Sequence, residues 1–114
     1  MRPSIKSIHS PDLDPGREPD DPDDCHILVE VEIGPEGIDG ADVFSFEVIT
    51  PTRIAGQGPR WGRGLLILDS VSWHAIETAL TKLLKHCSGD DWNEISAELN
   101  KELHWEFENY QERS

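Results

Sequence analysis

The side chains best suited to chemistry in this sequence are two thiols and five imidazoles. Each thiol stands beside a histidine, as Cys25-His26 and as His86-Cys87. If folding brought both dipeptides together, their thiolates and imidazoles would supply the four ligands of a tetrahedral zinc site. Adjacent residues of a strand point to opposite faces, however, so one dipeptide rarely gives two ligands to one ion. We therefore expect packed thiols beside exposed imidazoles, and no metal.

The carboxylates show no pattern typical of an active site. Paired acids that transfer protons need surroundings that separate their pKa values. The acidic residues here fall in loop-like segments or on the polar sides of helical patterns, where exposure to water keeps their pKa values close to one another. Asp12 and Asp14 resemble the first ligands of a calcium loop, but Gly16 comes one position early and no glutamate closes the ligand set. The sequence predicts no catalytic residue and no cofactor, and therefore a protein that is not an enzyme.

A glycine-rich segment is the remaining motif that could bind a ligand. Residues 56–61, Gly-Gln-Gly-Pro-Arg-Trp, resemble half of a phosphate-binding loop. Trp61 stands where the third glycine would be, and no Lys-Ser/Thr pair follows. We expect a flexible connection, and a small anion or partner contact through the arginines and Trp61 is the alternative.

Charge excludes several classes of partner. The 114 residues include 23 Asp and Glu against 10 Lys and Arg, which gives a net charge of −13. Nucleic acid and anionic membranes would repel such a chain, so we expect neither as a partner.

The length suits one domain over residues 1–114. The absence of a long apolar run and of paired cysteine motifs favours a soluble protein of the reducing cytoplasm.

Period-two alternation of apolar residues predicts strands in the first two thirds of the chain. The pattern is clearest at 25–33 and 43–50, which a Gly/Pro/Asp connection joins into an antiparallel hairpin. Two weaker candidates flank them: the segment 5–9, and the wholly apolar run 65–68, which fits an inner strand covered on both sides. Two loops complete this part, the acidic Pro/Asp-rich segment 10–24 and the Gly/Arg-rich segment 51–64.

A period near 3.6 predicts two helices in the last third of the chain. The first spans about 70–86, with Ser70 or Ser72 as its N-cap. The second follows it, and its apolar stripe continues to Phe107. Trp105 lies off this stripe, where it either anchors against the sheet or is an exposed binding residue. Strands followed by helices predict an α+β fold: an antiparallel sheet of about four strands with two C-terminal helices packed on one face.

Several motifs occur in an order that resembles a known family. They are Ile8-His9-Ser10-Pro11-Asp12, the strand Phe44 to Pro51, Gly64-Leu65-Leu66 through Trp73-x-x-Ile76, Cys87 to Trp92, and Trp105 to Tyr110. In this order they resemble the eighth-numbered immunity protein family of bacterial polymorphic toxin systems, over nearly the whole chain. The resemblance implies a small α+β protein, without catalysis or cofactor, that binds a toxin and suppresses it.

The acidic composition agrees with such a role. A nuclease domain presents positive charge to its nucleic acid, and an acidic partner can cover that surface and be steered to it. We therefore expect the partner to be a cognate, basic toxin domain, with a nuclease as one candidate. The 1:1 complex would cover the toxin's active cleft or a nearby exosite.

Two candidate toxin-binding surfaces follow from the positions of the carboxylates. The acidic loop with its strand edge is slightly preferred, because a long loop can adapt to a cleft. The other is the solvent face of the last helix. The first surface comprises Asp20, Asp21, Asp23, Asp24, Glu30 and Glu32, and the second comprises Glu98, Glu102 and Glu106.

Two other hypotheses remain open from the sequence. One is a protein-interaction or regulatory module of the same fold that has no toxin partner. It would be distinguished by gene order, because an immunity gene should lie directly downstream of a toxin gene. The other, weaker hypothesis is a metal-dependent enzyme that uses the Cys/His pairs and the acidic loop. Whether the protein is a monomer or a dimer is also open, since an exposed strand edge would permit pairing of two copies.

Overall fold

The computed structural model describes residues 1–59 and 62–107. Within these ranges the chain forms five strands and three helices, and the α+β class is confirmed. Arg60 and Trp61, and with them the alternative of a partner contact there, lie outside the described residues. The elements are β1 Pro3–His9, β2 His26–Pro35, β3 Asp42–Ile49, α1 Pro51–Ile54, β4 Leu65–Ile67, α2 Trp73–Lys85, α3 Trp92–Leu99 and β5 His104–Trp105.

The sheet has the strand order β1-β2-β3-β4, and β5 also pairs with β3. The predicted hairpin is confirmed, since β2 and β3 are antiparallel with His26 opposite Ile49. β4, however, is parallel to β3, with Leu66 opposite Val48. The sheet is therefore mixed, and the prediction that it is antiparallel throughout is wrong. The segment 51–64 brings the chain back alongside β3 before β4 begins, as a parallel pair requires.

β4 lies at the edge of the sheet, so its predicted inner position is wrong. Among the described residues it pairs with β3 alone. The side chain of Leu66 packs against the core, whereas Ile67 is 54% exposed. A short apolar run does not show which of its sides will be covered. β5 occupies the same side of β3 as β4, but nearer the start of that strand, at Phe44 and Ser45.

The core joins one face of the sheet to both long helices. α2 contributes Ile76, Leu80 and Leu84, and α3 contributes Ile95 and Leu99. Both helices therefore cover the same face, as predicted. By alternation, the polar residues of β2 and β3 lie on the opposite face. The buried strand residues are Ile27, Val29, Val31 and Ile33 from β2, and Phe44, Phe46 and Val48 from β3.

Both long helices begin at a side-chain N-cap, and that of α2 is one of the two predicted serines. The hydroxyl of Ser72 accepts the N–H of Ala75 at 3.0 Å, so Ser72 is the N-cap of α2. The carboxylate of Asp91 accepts the N–H of Glu94 at 2.9 Å at the start of α3. Both bonds satisfy an N–H that has no partner within its own helix. The first turn of the predicted loop 51–64 is also helical, as α1.

α3 ends at Leu99, so the prediction of a helical stripe reaching Phe107 is wrong. The Arg63 guanidinium donates to the carbonyl oxygen of Asn100 at 2.7 and 3.0 Å, which satisfies a carbonyl at the helix C-terminus. The side-chain oxygen of Asn100 accepts the N–H of Trp105 at 3.1 Å and so directs the chain into β5. Phe107 is 42% exposed, whereas Ile95 and Leu99 of α3 are fully buried in the core.

Candidate functional site

The two Cys-His dipeptides have separate surroundings. Burial raises the pKa of the Cys25 thiol and also that of the Cys87 thiol. The Cys87 thiol lies 3.4 Å from the carbonyl oxygen of Leu83, to which it donates. His26 forms a 2.7 Å contact through Nε2 with the carboxylate of Glu47. Among residues 1–59 and 62–107, no group of three or more His, Cys, Asp or Glu side chains is placed to hold a metal ion.

The acidic loop 10–24 begins with side chains that extend the pairing of β2. β1 stops at His9. Beyond it, the hydroxyl of Ser10 donates to the carbonyl oxygen of Leu28, and the carboxylate of Asp12 accepts the Leu28 N–H at 2.7 Å. These two side chains take the place of strand partners, and they attach the first part of the loop to the sheet.

The middle of the loop is docked on the start of α2. The carboxylate of Glu18 accepts the N–H of Trp73 at 3.1 and 3.3 Å, and the Trp73 indole donates to the carbonyl oxygen of Arg17 at 2.9 Å. A carboxylate at this position also interacts favourably with the helix dipole. Further along, the N–H of Val71 donates to the carbonyl oxygen of Pro22 at 2.8 Å. The loop is therefore attached to the folded body at several points.

Asp24, at the end of the loop, is engaged within the protein. Its Oδ1 accepts hydrogen bonds from the hydroxyl of Thr52 at 2.7 Å and from Nε of Arg53 at 2.9 Å. The bonds from Thr52 and Arg53 lower the pKa of Asp24. Because this carboxylate already has a cationic partner, it contributes less than a free aspartate to a surface for a basic molecule.

Three carboxylates of the loop remain available: Asp20, Asp21 and Asp23, which we call the loop aspartates. All three are exposed, and they form no side-chain hydrogen bond or ion pair among the described residues. Their backbone lies between the contacts of the loop with α2 and the Asp24 pair. The protein thus presents three close negative charges from a segment whose position is set by its anchors.

Glu30 and Glu32 lie apart from the loop aspartates and not on a sheet edge, because β2 runs between β1 and β3. Glu30 faces His9, whose Nε2 is 3.5 Å from its carboxylate, while Glu32 is exposed. A strand rises about 3.3 Å per residue, so Glu32 lies about 20 Å from His26 at the loop end of β2. The first predicted surface therefore divides into the loop aspartates and a separate pair of glutamates on the sheet face.

Glu47 belongs to that same sheet face, although neither of the two surfaces predicted from the sequence includes it. It stands opposite Leu28, diagonal to Glu30 across the β2–β3 pair. Its position between the buried Phe46 and Val48 already indicates an outward side chain. The pairing register, which brings it near Glu30, could not be predicted from either strand alone.

The three glutamates of the second predicted surface do not share a helix face, because α3 ends before two of them. Glu98 is paired with Lys101 at 3.0 Å. The carboxylate of Glu106 accepts the backbone N–H of Val43 at 2.9 Å, where it prolongs the pairing of β5 with β3. Glu102 is exposed and forms no side-chain hydrogen bond or ion pair among the described residues. A helical acidic surface is therefore not formed.

The comparisons with known proteins identify one family. The family model described as Immunity protein 8 matches residues 3–110, which is nearly the whole chain. No curated protein and no solved structure gives a significant match. The helices in the described part of the chain are all too short or too polar to cross a membrane.

Proposed function

The chain belongs to the immunity protein 8 family, and on this premise we propose that it neutralises a basic toxin domain by direct binding. Membership makes it an immunity protein of a polymorphic toxin system. It acts as a binding partner rather than as an enzyme, in a 1:1 complex that covers the toxin's active cleft or an adjacent exosite. The cytoplasm, which such a toxin enters, is the proposed compartment.

The loop aspartates are the observation that supports this proposal most strongly. Groups that are already positioned lose less conformational freedom on binding than groups of a free loop. The contacts of Glu18 with the start of α2 and of Pro22 with Val71 just before it hold the loop in place, while the three carboxylates stay exposed. Lysine and arginine side chains of a toxin can therefore pair with Asp20, Asp21 and Asp23 without prior rearrangement of the loop.

Charge also favours a basic toxin, of which a nuclease is one candidate. A surface that binds nucleic acid carries positive charge, and a chain of net charge −13 is attracted to it over a distance of about a Debye length. Such steering raises association rates towards about 10⁸ M⁻¹s⁻¹ at low salt. Fast capture is an advantage for an inhibitor that must act before the toxin reaches its target.

Co-expression tests the proposal directly. The chain is produced together with the toxin domain encoded immediately upstream of its gene, and host survival and complex recovery are scored. We expect survival together with a stable 1:1 complex. Killing of the host despite soluble expression of this chain, with no complex recovered, would contradict the proposal and favour an interaction module without a toxin partner.

A further inference from the structure

A groove lies between β4 and α2, at the edge where the sheet ends. Its volume is about 190 Å³, well above the roughly 15 Å³ that one water molecule needs. Its walls are mainly aliphatic, from Leu65 and Leu66 on β4 and from Leu80 and Leu83 on α2. Such a groove has room for an aliphatic side-chain stem from another molecule.

The edge of β4 beside this groove offers backbone groups for pairing. The carbonyl of Gly64 and the N–H of Leu68 bond to β3 at 2.8 and 3.1 Å. By the alternation of a strand, the N–H and carbonyl groups of Leu65 and Ile67 point away from β3. In the part of the chain that the structure describes, no strand pairs with that side. An extended segment of a partner can add there as a further strand.

A single carboxylate gives the groove its charge. Glu102 is the only charged residue among those that line it, within the described chain. The N–H of Gly64 donates to the Glu102 carbonyl oxygen at 2.9 Å, so Glu102 lies beside the start of β4. Its side chain is exposed and has no bond to another described residue. Lysine and arginine combine an aliphatic stem with a cationic end, which matches aliphatic walls that end at a carboxylate.

We propose that this groove binds an extended, basic segment of the toxin. The segment adds to the free edge of β4, and one of its lysine or arginine side chains lies along the leucines with its cationic group at Glu102. The inference rests on the proposed function and deepens it, because it assigns a second contact to the same partner. The loop aspartates attract the toxin, whereas the groove recognises one side chain of it.

The test uses a catalytically inactive form of the toxin domain encoded directly upstream. Glu102→Gln removes the charge while keeping the shape of the side chain, and Ala79→Met fills the groove from α2. We expect each change to raise the Kd by about tenfold, as for the loss of a charged or buried interface contact. The matched control is Glu36→Gln, an exposed glutamate of the β2–β3 connection, for which we expect less than a twofold change.

Hydrogen exchange of the complex gives an independent readout of strand addition. Binding should slow exchange of the Leu65 and Ile67 amides, while the amide of Ile38 in the β2–β3 connection is unchanged. Unaltered affinity of both groove variants, with no slowing at β4, would overturn the groove proposal while leaving the proposed function standing. If the wild-type chain does not bind the toxin domain at all, the proposed function fails, and the groove proposal fails with it.

Discussion

The carboxylate of Asp42 binds the indole of Trp105 across 63 positions of sequence: Oδ2 accepts the indole N–H at 3.1 Å. The same oxygen accepts the indole N–H of Trp92 at 2.8 Å. The Trp105 ring also stacks on Phe44, with centroids 6.5 Å apart and planes inclined by 16°. One side chain at the start of β3 therefore ties α3 and β5 to the sheet, and Trp105 is an anchor rather than an exposed binding residue.

Replacement of Asp42 should weaken the attachment of the C-terminal elements. Asp42→Ala leaves two half-buried indole N–H groups without their acceptor, which we expect to lower the free energy of unfolding by about 2–3 kcal/mol. Urea denaturation followed by tryptophan fluorescence measures this loss. The matched control is Asp39→Ala, in the exposed β2–β3 connection, for which we expect a change within about 0.5 kcal/mol. Equal stability of the two variants would contradict the anchoring role.

Gly64 should not tolerate a side chain. It lies directly before β4, and its N–H donates to the carbonyl oxygen of Glu102 near the start of β5. Its φ is +71°, and a Cβ at this position would overlap the imidazole of His104. The positive φ alone opposes alanine, and the exposed His104 ring would also have to turn aside, so we expect Gly64→Ala to lower the free energy of unfolding by about 1–2 kcal/mol. Gly62→Ala is the control, since a Cβ there meets nothing within 4 Å. Thermal unfolding of both variants measures the difference, and an unchanged Tm for Gly64→Ala would show that this arrangement is wrong.

The Asp24 pair predicts a particular pH dependence. Hydrogen bonds from Thr52 and Arg53 hold the pKa of Asp24 below its ordinary value in the folded chain. The pair therefore contributes stability above the unfolded pKa, near 4, and this contribution is lost as the pH falls through the folded pKa. Carboxyl ¹³C NMR titration of Asp24 should give a midpoint below the ordinary pKa of an aspartate side chain. Thr52→Val and Arg53→Gln should each move it upwards, and an unmoved midpoint in both would contradict the assignment.

Local features of the fold could be predicted from the sequence because their causes are local. Alternation identified β2 and β3, and Ser72 caps α2 because a hydroxyl at that position satisfies a nearby N–H. The end of α3 could not be predicted in the same way. It depends on Arg63, which reaches the carbonyl oxygen of Asn100 from a loop 37 residues earlier. Helical periodicity beyond that point carries no information about a partner so far away in sequence.

The candidate site was only partly predictable for a similar reason. Composition and loop chemistry identified the loop aspartates as exposed acids, and the structure places all three at the surface. The same reasoning grouped them with Asp24 and Glu30, which have the partners Arg53 and His9. A side-chain contact between distant segments requires the fold to be known, because no spacing in the chain indicates it.

The most direct test of the account is the salt dependence of association with the upstream toxin domain. Stopped-flow rates are measured from about 0.02 M to about 0.5 M salt, over which screening shortens the reach of the charges several-fold. The wild-type rate should fall steeply. Reversal of the loop aspartates to lysine should lower the low-salt rate by at least about tenfold and flatten its salt dependence. Asp24 is kept, so that its pair with Arg53 still supports the fold.

A control with the same change in net charge separates the loop from the charge of the whole protein. Glu36, Asp39 and Asp90 are exposed and lie outside the loop, and they are reversed to lysine together. We expect this variant to keep an association rate and a salt dependence much closer to those of the wild type. If the two triple variants associate at the same rate with the same salt slope, the loop aspartates are not the surface that captures the toxin.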